Sequence, residues 1–208
     1  MNKYSFLLAI ILFAFDMSIS GAEPIVRSAS EDAPLSKTTI TEPITVETPT
    51  GMLFGTLEMP QSRSRVPVVL IIAGSGPTDR DGNSIALKGP NNSLKFLAEA
   101  LANQGIASVR YDKRGVGETG KAMMVAAEKA KTVLREEDLS FETYIDDAVG
   151  WGKKLRSDRR FSSLTILGHS EGSLIGMVAA QRLGAQAFVS IAGAGRAINQ
   201  IILEQVKP

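Results

Sequence analysis

Cysteine is absent from this 208-residue sequence, and histidine occurs once, at His169. Without cysteine there is no disulfide, no cysteine nucleophile and no thiolate metal site. Twenty-three lysine and arginine residues nearly balance 22 aspartate and glutamate residues, which gives a formal net charge of +1. Nucleic acid is therefore not an expected partner. Hydrophobic residues make up 44% of the chain, enough for a sizeable core in one domain.

The N-terminal apolar run is too short to span a membrane. It occupies residues 4–15, about twelve residues, whereas a transmembrane helix needs about 20. Lys3 supplies a positive start, and Ser20-Gly21-Ala22 supplies small residues for cleavage. We predict that residues 1–22 are a signal peptide cleaved near Ala22, which leaves an exported, periplasmic or secreted protein with no stable membrane anchor.

Residues 23–41 are polar and are expected to form a leader, with one folded domain at residues 42–208. The domain opens with alternating residues that predict an antiparallel hairpin, and almost wholly apolar runs typical of buried parallel strands follow. The strands are predicted at residues 44–48, 52–57, 66–73, 106–111, 164–168 and 187–191. Helical patterns between and after them are predicted at residues 93–105, 121–135, 141–155, 172–184 and 198–206. Ser93 is the expected N-cap of the first helix, and Phe141 is expected on the apolar, buried face of the third. The fold class is α/β, a mostly parallel sheet with helices on both faces.

The most informative stretch is Gly168-x-Ser170-x-Gly172, which follows an apolar run and precedes an amphipathic one. This order predicts a strand, a sharp turn and a helix, with Ser170 at the corner. The glycines have a steric reason, because side chains at those positions would collide where strand and helix cross. Such a turn exposes the Ser170 hydroxyl as a nucleophile and directs the Glu171 N–H towards a developing oxyanion.

A second glycine-rich turn, Gly74-Ser75-Gly76-Pro77, follows an apolar strand. Its small residues let backbone N–H groups approach a ligand closely, and the Ser75 N–H is then a second oxyanion donor. The alternative is a tight strand-to-loop turn without a chemical role. The charged residues that follow, Asp79, Arg80 and Asp81, are expected to pair with one another and order the loop.

A third turn contains Gly115-x-Gly117-x-x-Gly120, which satisfies the dinucleotide-binding fingerprint. Two observations count against an NAD or FAD site. Charged residues 112–114 separate the strand from the first glycine, and the acidic residues at 136–138 fall between helical stretches instead of ending a second strand. The alternative is a structural turn of Asp112, Arg114, Gly115 and Gly117, pinned by Asp112 and Arg114.

Together the three turns resemble those of the α/β-hydrolase superfamily, in the branch of serine aminopeptidase-like and esterase-like exported hydrolases. The matching segments are Gly74–Asn83, Tyr111–Gly117 and Gly168–Gly172. The resemblance implies that Ser170 is the nucleophile, that the Ser75 and Glu171 N–H groups form the oxyanion hole, and that the Asp112–Gly117 turn is structural. It implies a small ester or peptide substrate and neither metal nor cofactor.

The sequence departs from this pattern in one respect. In this fold the serine is followed by an acid and then a histidine. No histidine follows Ser170, and beyond the adjacent Glu171 the one later acid is Glu204. His169 is expected to point to the opposite side of the strand from Ser170. A serine without a base is a poor nucleophile, so these 208 residues alone are expected to be nearly inert.

The run at residues 187–191 is apolar on both faces, which suits an interior strand and predicts further strands beyond it. The sequence is therefore interpreted as the N-terminal portion of a longer hydrolase, truncated after about the sixth strand, with a truncated gene product as the alternative. The predicted function is acyl transfer on carboxylic esters, or on amides or peptides. If the natural chain ends at Pro208, a non-catalytic binding protein is the alternative.

Overall fold

The computed structural model describes residues 38–85, 88–129, 139–195 and 200. The predicted signal peptide, all but the last residues of the predicted leader, and the acidic residues at 136–138 lie outside the described residues. So does the predicted C-terminal helix, except for residue 200. Within the described part of the chain, no helix is long and apolar enough to cross a membrane.

Six strands form one mixed sheet in the described part of the chain. They are β1 (Thr39–Thr48), β2 (Gly51–Pro60), β3 (Val66–Ile72), β4 (Ala107–Tyr111), β5 (Phe161–His169) and β6 (Ala187–Ile191). Their order in the sheet is β1-β2-β4-β3-β5-β6. The first strand pairs antiparallel with β2, and β2 pairs antiparallel with β4. The remaining pairings, β4 with β3, β3 with β5 and β5 with β6, are parallel. This architecture confirms the predicted α/β-hydrolase fold class.

Helices cover both faces of the sheet. They are α1 (Ser93–Asn103), α2 (Gly117–Lys129), α3 (Phe141–Ser157) and α4 (Glu171–Leu183). Alternate residues of β3 enter different hydrophobic clusters, because side chains alternate along a strand. Leu70 and its even-numbered neighbours belong to the cluster with α3 and α4, whereas Val69 and Ile71 pack with α1. Burial on both faces explains why β3 is an almost unbroken apolar run.

Four details differ from the sequence-based expectations. The hairpin begins at Thr39, inside the predicted leader, because Glu42 and its neighbours pair along the full length of β2. Asn92, in the left-handed conformation, takes the cap position predicted for Ser93. The helix predicted from residue 121 begins at Gly117, directly after the glycine turn. Phe141, placed on the buried face of α3, is exposed.

The sixth strand lies at an edge of the described sheet, and all five of its residues are exposed. Its sequence is typical of an interior strand, as expected, but its outer side faces no other described strand. An exposed apolar surface beside β5 and α4 is therefore formed by Phe188, Val189 and Ile191.

Candidate active site

Three loops meet at the carboxyl edge of the parallel strands. Gly74 follows β3, Asp112 follows β4 and Ser170 follows β5, and these strands are neighbours in the sheet. In open α/β sheets, ligands bind beyond the carboxyl ends of the strands. The predicted site residues thus come from adjacent positions along one edge.

Ser170 occupies a strained turn between β5 and α4. Its backbone has φ 52° and ψ −119°, a region that residues with side chains rarely adopt. Its N–H donates to the carbonyl of Ile191 at 2.9 Å, and its own carbonyl accepts from the Ser173 N–H at 2.9 Å. The Ser173 hydroxyl also donates to the carbonyl of Gly168 at 2.6 Å. These contacts hold the turn from both sides.

The two glycines that flank Ser170 are required by close backbone contacts. A Cβ on Gly168 would overlap the carbonyl of Gly172, where β5 crosses α4. A Cβ on Gly172 would lie 2.5 Å from the carbonyl oxygen of Ala73, at the end of β3. The first contact is the predicted strand–helix crossing. The second involves a different strand, which sequence spacing could not reveal.

The loop after β3 touches this turn. A Cβ on Gly74 would lie 3.0 Å from His169 Nδ1 and 3.3 Å from the Cβ of Ser170. Ser75, the predicted oxyanion donor, follows directly and is exposed. Glu171 is the first residue of α4, where backbone N–H groups have no partner within the helix. The structure thus brings the Gly74 loop, Ser170 and Glu171 together. This arrangement is compatible with the predicted pair of donors, the N–H groups of Ser75 and Glu171.

Beside these residues lies a buried lysine that was not among the predicted site residues. Lys113, 5% exposed, donates from Nζ to the carbonyl of Gly74 at 2.5 Å and to Glu171 Oε1 at 3.3 Å. Nζ also lies 5.7 Å from the centre of the Tyr144 ring. Burial lowers the pKa of Lys113, and the Glu171 carboxylate opposes that shift. The signal that could have found it is its position, since it follows a buried strand next to β3.

The Asp112–Gly117 turn is filled by a carboxylate. Asp112 accepts from the Arg80 N–H at 2.9 Å and from the Glu118 N–H at 2.8 Å, at the start of α2. A Cβ on Gly117 would lie 2.6 Å from Asp112 Oδ1, and Gly115 has a positive φ of 78°. The carboxylate occupies the helix N-terminus that a dinucleotide phosphate would need.

The partners of the charged residues in these loops differ from those expected. Arg80 pairs with Asp112 at 2.6 Å and with Glu118 at 2.5 Å, and Asp81 pairs with Arg110 at 2.8 Å. The expectation that Asp79, Arg80 and Asp81 pair with one another is therefore wrong. Arg80 reaches the turn after β4 and the first turn of α2, whereas Asp81 reaches β4 itself, so the ion pairs join this loop to the neighbouring strand and its turn.

Arg114 forms a buried ion pair on the other side of the turn. Its Nε and Nη2 each donate to an Asp147 carboxylate oxygen of α3 at 2.7 Å. Burial raises the pKa of Asp147, and Arg114 opposes that shift. This bidentate contact connects the loop after β4 to α3, a structural arrangement that involves none of the residues around Ser170.

The one histidine lies next to Ser170 in sequence and against Gly74 in space. His169 is half-buried, and burial lowers its pKa, which favours the neutral imidazole. A cavity of about 320 Å³ lies farther along the edge, lined by Thr56, Asp79, Arg80, Asp81, Asp112, Gly117, Glu118 and Lys121. Ser170 is not part of its lining.

Comparisons with known proteins agree with this fold. The family model of serine aminopeptidase S33 matches residues 91–207, more than half of the chain. The sequence is 30% identical over 155 residues to the esterase EstD of Thermotoga maritima. That match covers 74% of this chain but 34% of the esterase, so the chain spans about a third of this relative's length.

Solved structures show the same fold. A lidless α/β serine hydrolase from Xanthomonas campestris matches with a TM-score of 0.54 and 26% identity, over 79% of this chain and 66% of that one. A dienelactone hydrolase from Anabaena variabilis matches with a TM-score of 0.54 and 21% identity, over 74% of this chain and 64% of that one.

Proposed function

Because the chain belongs to the serine aminopeptidase S33 family of α/β hydrolases, we propose that it is a serine hydrolase that cleaves carboxylic esters through Ser170. The observation that carries the proposal is the strained backbone of Ser170, at φ 52° between β5 and α4. Strain of this kind persists where the surrounding structure enforces it, and it clusters at functional sites. The similarity to the esterase EstD supports the substrate class, and the similarity to the lidless serine hydrolase supports the reaction class.

The proposed reaction is acyl transfer in two steps. The Ser170 hydroxyl attacks the ester carbonyl carbon and its proton passes to a base, while the carbonyl oxygen becomes an oxyanion. The N–H groups of Ser75 and Glu171 donate to that oxyanion. The intermediate then collapses: the base gives its proton to the leaving oxygen, and the alcohol departs. Water hydrolyses the remaining acyl ester and releases the acid from Ser170. No metal or cofactor takes part in this scheme.

The scheme needs a base, and these 208 residues contain no histidine after Ser170 that could act as one. We propose that polypeptide beyond them provides the acid and the histidine, as the fold requires. The intact mass of the protein from its natural source tests this point. A mass well above 22.2 kDa supports it, whereas a mass at or slightly below 22.2 kDa favours a non-catalytic binding protein.

Covalent labelling tests the nucleophile. A fluorophosphonate probe should label the natural protein, and Ser170→Ala should abolish labelling. Ser162→Ala is a matched control, since Ser162 is an exposed serine on the same strand, and it should label normally. Labelling that persists in Ser170→Ala, or an unlabelled natural protein, would contradict the proposal. Faster turnover of p-nitrophenyl esters than of amino-acid p-nitroanilides would support esters over peptides.

A further inference from the structure

Lys113 is a buried cation that contacts both loops of the proposed oxyanion hole. Its Nζ donates to the Gly74 carbonyl at 2.5 Å and to Glu171 Oε1 at 3.3 Å. Gly74 precedes one proposed donor, and Glu171 carries the other. Burying an ammonium group is costly unless it is paired and hydrogen-bonded. Here a lysine side chain that is 6% exposed is held by a carbonyl and by a carboxylate that is 37% exposed.

Because a peptide group is planar, the contact between Lys113 and the Gly74 carbonyl also sets the orientation of the Ser75 N–H. The Gly74 carbonyl and the Ser75 N–H belong to one planar peptide unit, so they point in opposite directions. An ammonium that fixes the carbonyl oxygen therefore fixes the direction of the N–H. A hydrogen bond from a charged donor is also roughly twice as strong as a neutral one. It polarises the peptide unit and so makes the Ser75 N–H a stronger donor.

We propose that Lys113 is a positioning residue that aims the Ser75 N–H at the oxyanion. The inference rests on the proposed function, because it assigns a role within the same site. Lys113 acts through the peptide unit of Gly74 and Ser75, and through Glu171 it ties that unit to the first turn of α4. Its positive charge beside the peptide unit also favours the negative charge that develops on the substrate oxygen.

The kinetic test replaces the ammonium and keeps an unbranched apolar side chain. In the natural protein, Lys113→Met should lower kcat and the rate of fluorophosphonate labelling by about 10²-fold, comparable to the loss of one oxyanion donor, while KM changes little. Arg114→Lys is the control, because it weakens the ion pair of another buried cation in the same turn. Arg114 contacts Asp147 of α3 and not the residues around Ser170. It should lower the melting temperature yet leave the labelling rate per folded molecule unchanged.

A chemical rescue separates the charge from general stability. These 208 residues contain no cysteine, so Lys113→Cys provides the one thiol within them, and any cysteine elsewhere in the natural chain is first replaced by serine. Alkylation in denaturant followed by refolding can attach an aminoethyl group, which rebuilds the lysine shape and charge, or a neutral propyl group. The aminoethyl product should regain most of the rate and the propyl product should not. Wild-type protein taken through the same steps controls for refolding.

The outcomes for Lys113 and for the proposed function are distinct. If the natural protein labels on Ser170 and Lys113→Met labels at the same rate, the role of Lys113 is overturned and the nucleophile stands. Equal recovery with the aminoethyl and propyl groups also overturns it. If the natural protein does not label on Ser170, the proposed function falls, and the role of Lys113 falls with it.

Discussion

At the scale of single residues, the strain at Ser170 is sustained by its neighbours. A residue with a side chain in this backbone region costs about 1–3 kcal/mol. Hydrogen bonds of its N–H to Ile191 and of the Ser173 hydroxyl to Gly168 hold the turn in place. The absence of a side chain at Gly172 lets α4 approach the end of β3. The strained conformation is therefore maintained by contacts among β3, β5, β6 and α4.

Gly172→Ala should destabilise the protein by about 3 kcal/mol, because the new methyl would lie within 3 Å of two backbone carbonyls of β3 that cannot move independently. Urea unfolding measures the change in the free energy of unfolding. Gly195→Ala is the control, since a Cβ there meets nothing within 4 Å, and its effect should stay within about 0.5 kcal/mol. Equal effects of the two substitutions would contradict the proposed steric role.

The carboxylate of Asp158 predicts a pH-dependent contribution to stability. It accepts from the Arg160 N–H at 2.9 Å and from Arg160 Nη2 at 2.8 Å. These hydrogen bonds lower the pKa of Asp158 in the folded protein. Its stabilising effect is therefore present above the unfolded value of about 3.9 and is lost as pH falls through the folded value.

Asp158→Asn should accordingly lower the free energy of unfolding at pH 7 but much less at about pH 2. Urea unfolding of both proteins across this pH range measures the difference. A difference that stays constant with pH would show that the Asp158 charge contributes nothing to stability. Arg160 also donates to Glu42 at 2.9 Å, so Glu42→Gln serves as a second probe of the same guanidinium.

At the scale of elements, α3 contains two glycines that differ in their surroundings. A Cβ on Gly150 would lie 3.6 Å from Val46, an ordinary contact. A Cβ on Gly152 would overlap the side chain of Leu183, with 3.1 Å to its Cδ2. Gly152 therefore allows α3 and α4 to pack closely, whereas Gly150 has no such role.

Gly150→Ala should stabilise the protein by about 0.5–1 kcal/mol, because alanine is the better helix former. Gly152→Ala should destabilise it by about 1–3 kcal/mol, since Leu183 must leave its position. Thermal unfolding of the two variants gives the comparison. Two stabilising substitutions would mean that the close packing of α3 on α4 is not needed.

At the scale of the whole molecule, residues that act within one segment were predictable from sequence. The unbroken apolar run of β3 predicted a strand buried on both faces, and the glycines around Ser170 predicted the turn. These features depend on local geometry, which spacing along the chain records.

Residues that act across segments were not predictable in this way. Lys113 lies in a polar turn of a type that is normally solvated. Its side chain is buried because it packs against the loop after β3, where it donates to the Gly74 carbonyl. Arg80 stands between two aspartates in sequence, yet it pairs with Asp112 across the loop. The edge position of β6 likewise depends on which strands lie beside it, and its composition alone favours the interior.

The hydrogen bond from the Ser170 N–H to Ile191 links the Ser170 turn to β6, the last strand of the described sheet. Short peripheral segments of a fold open by local fluctuations that leave the rest of the fold intact. An opening of β6 would remove one support of the turn and would let Ser170 relax from its strained backbone. A chain segment that covers the outer side of β6 would therefore stabilise the Ser170 turn as well as the strand.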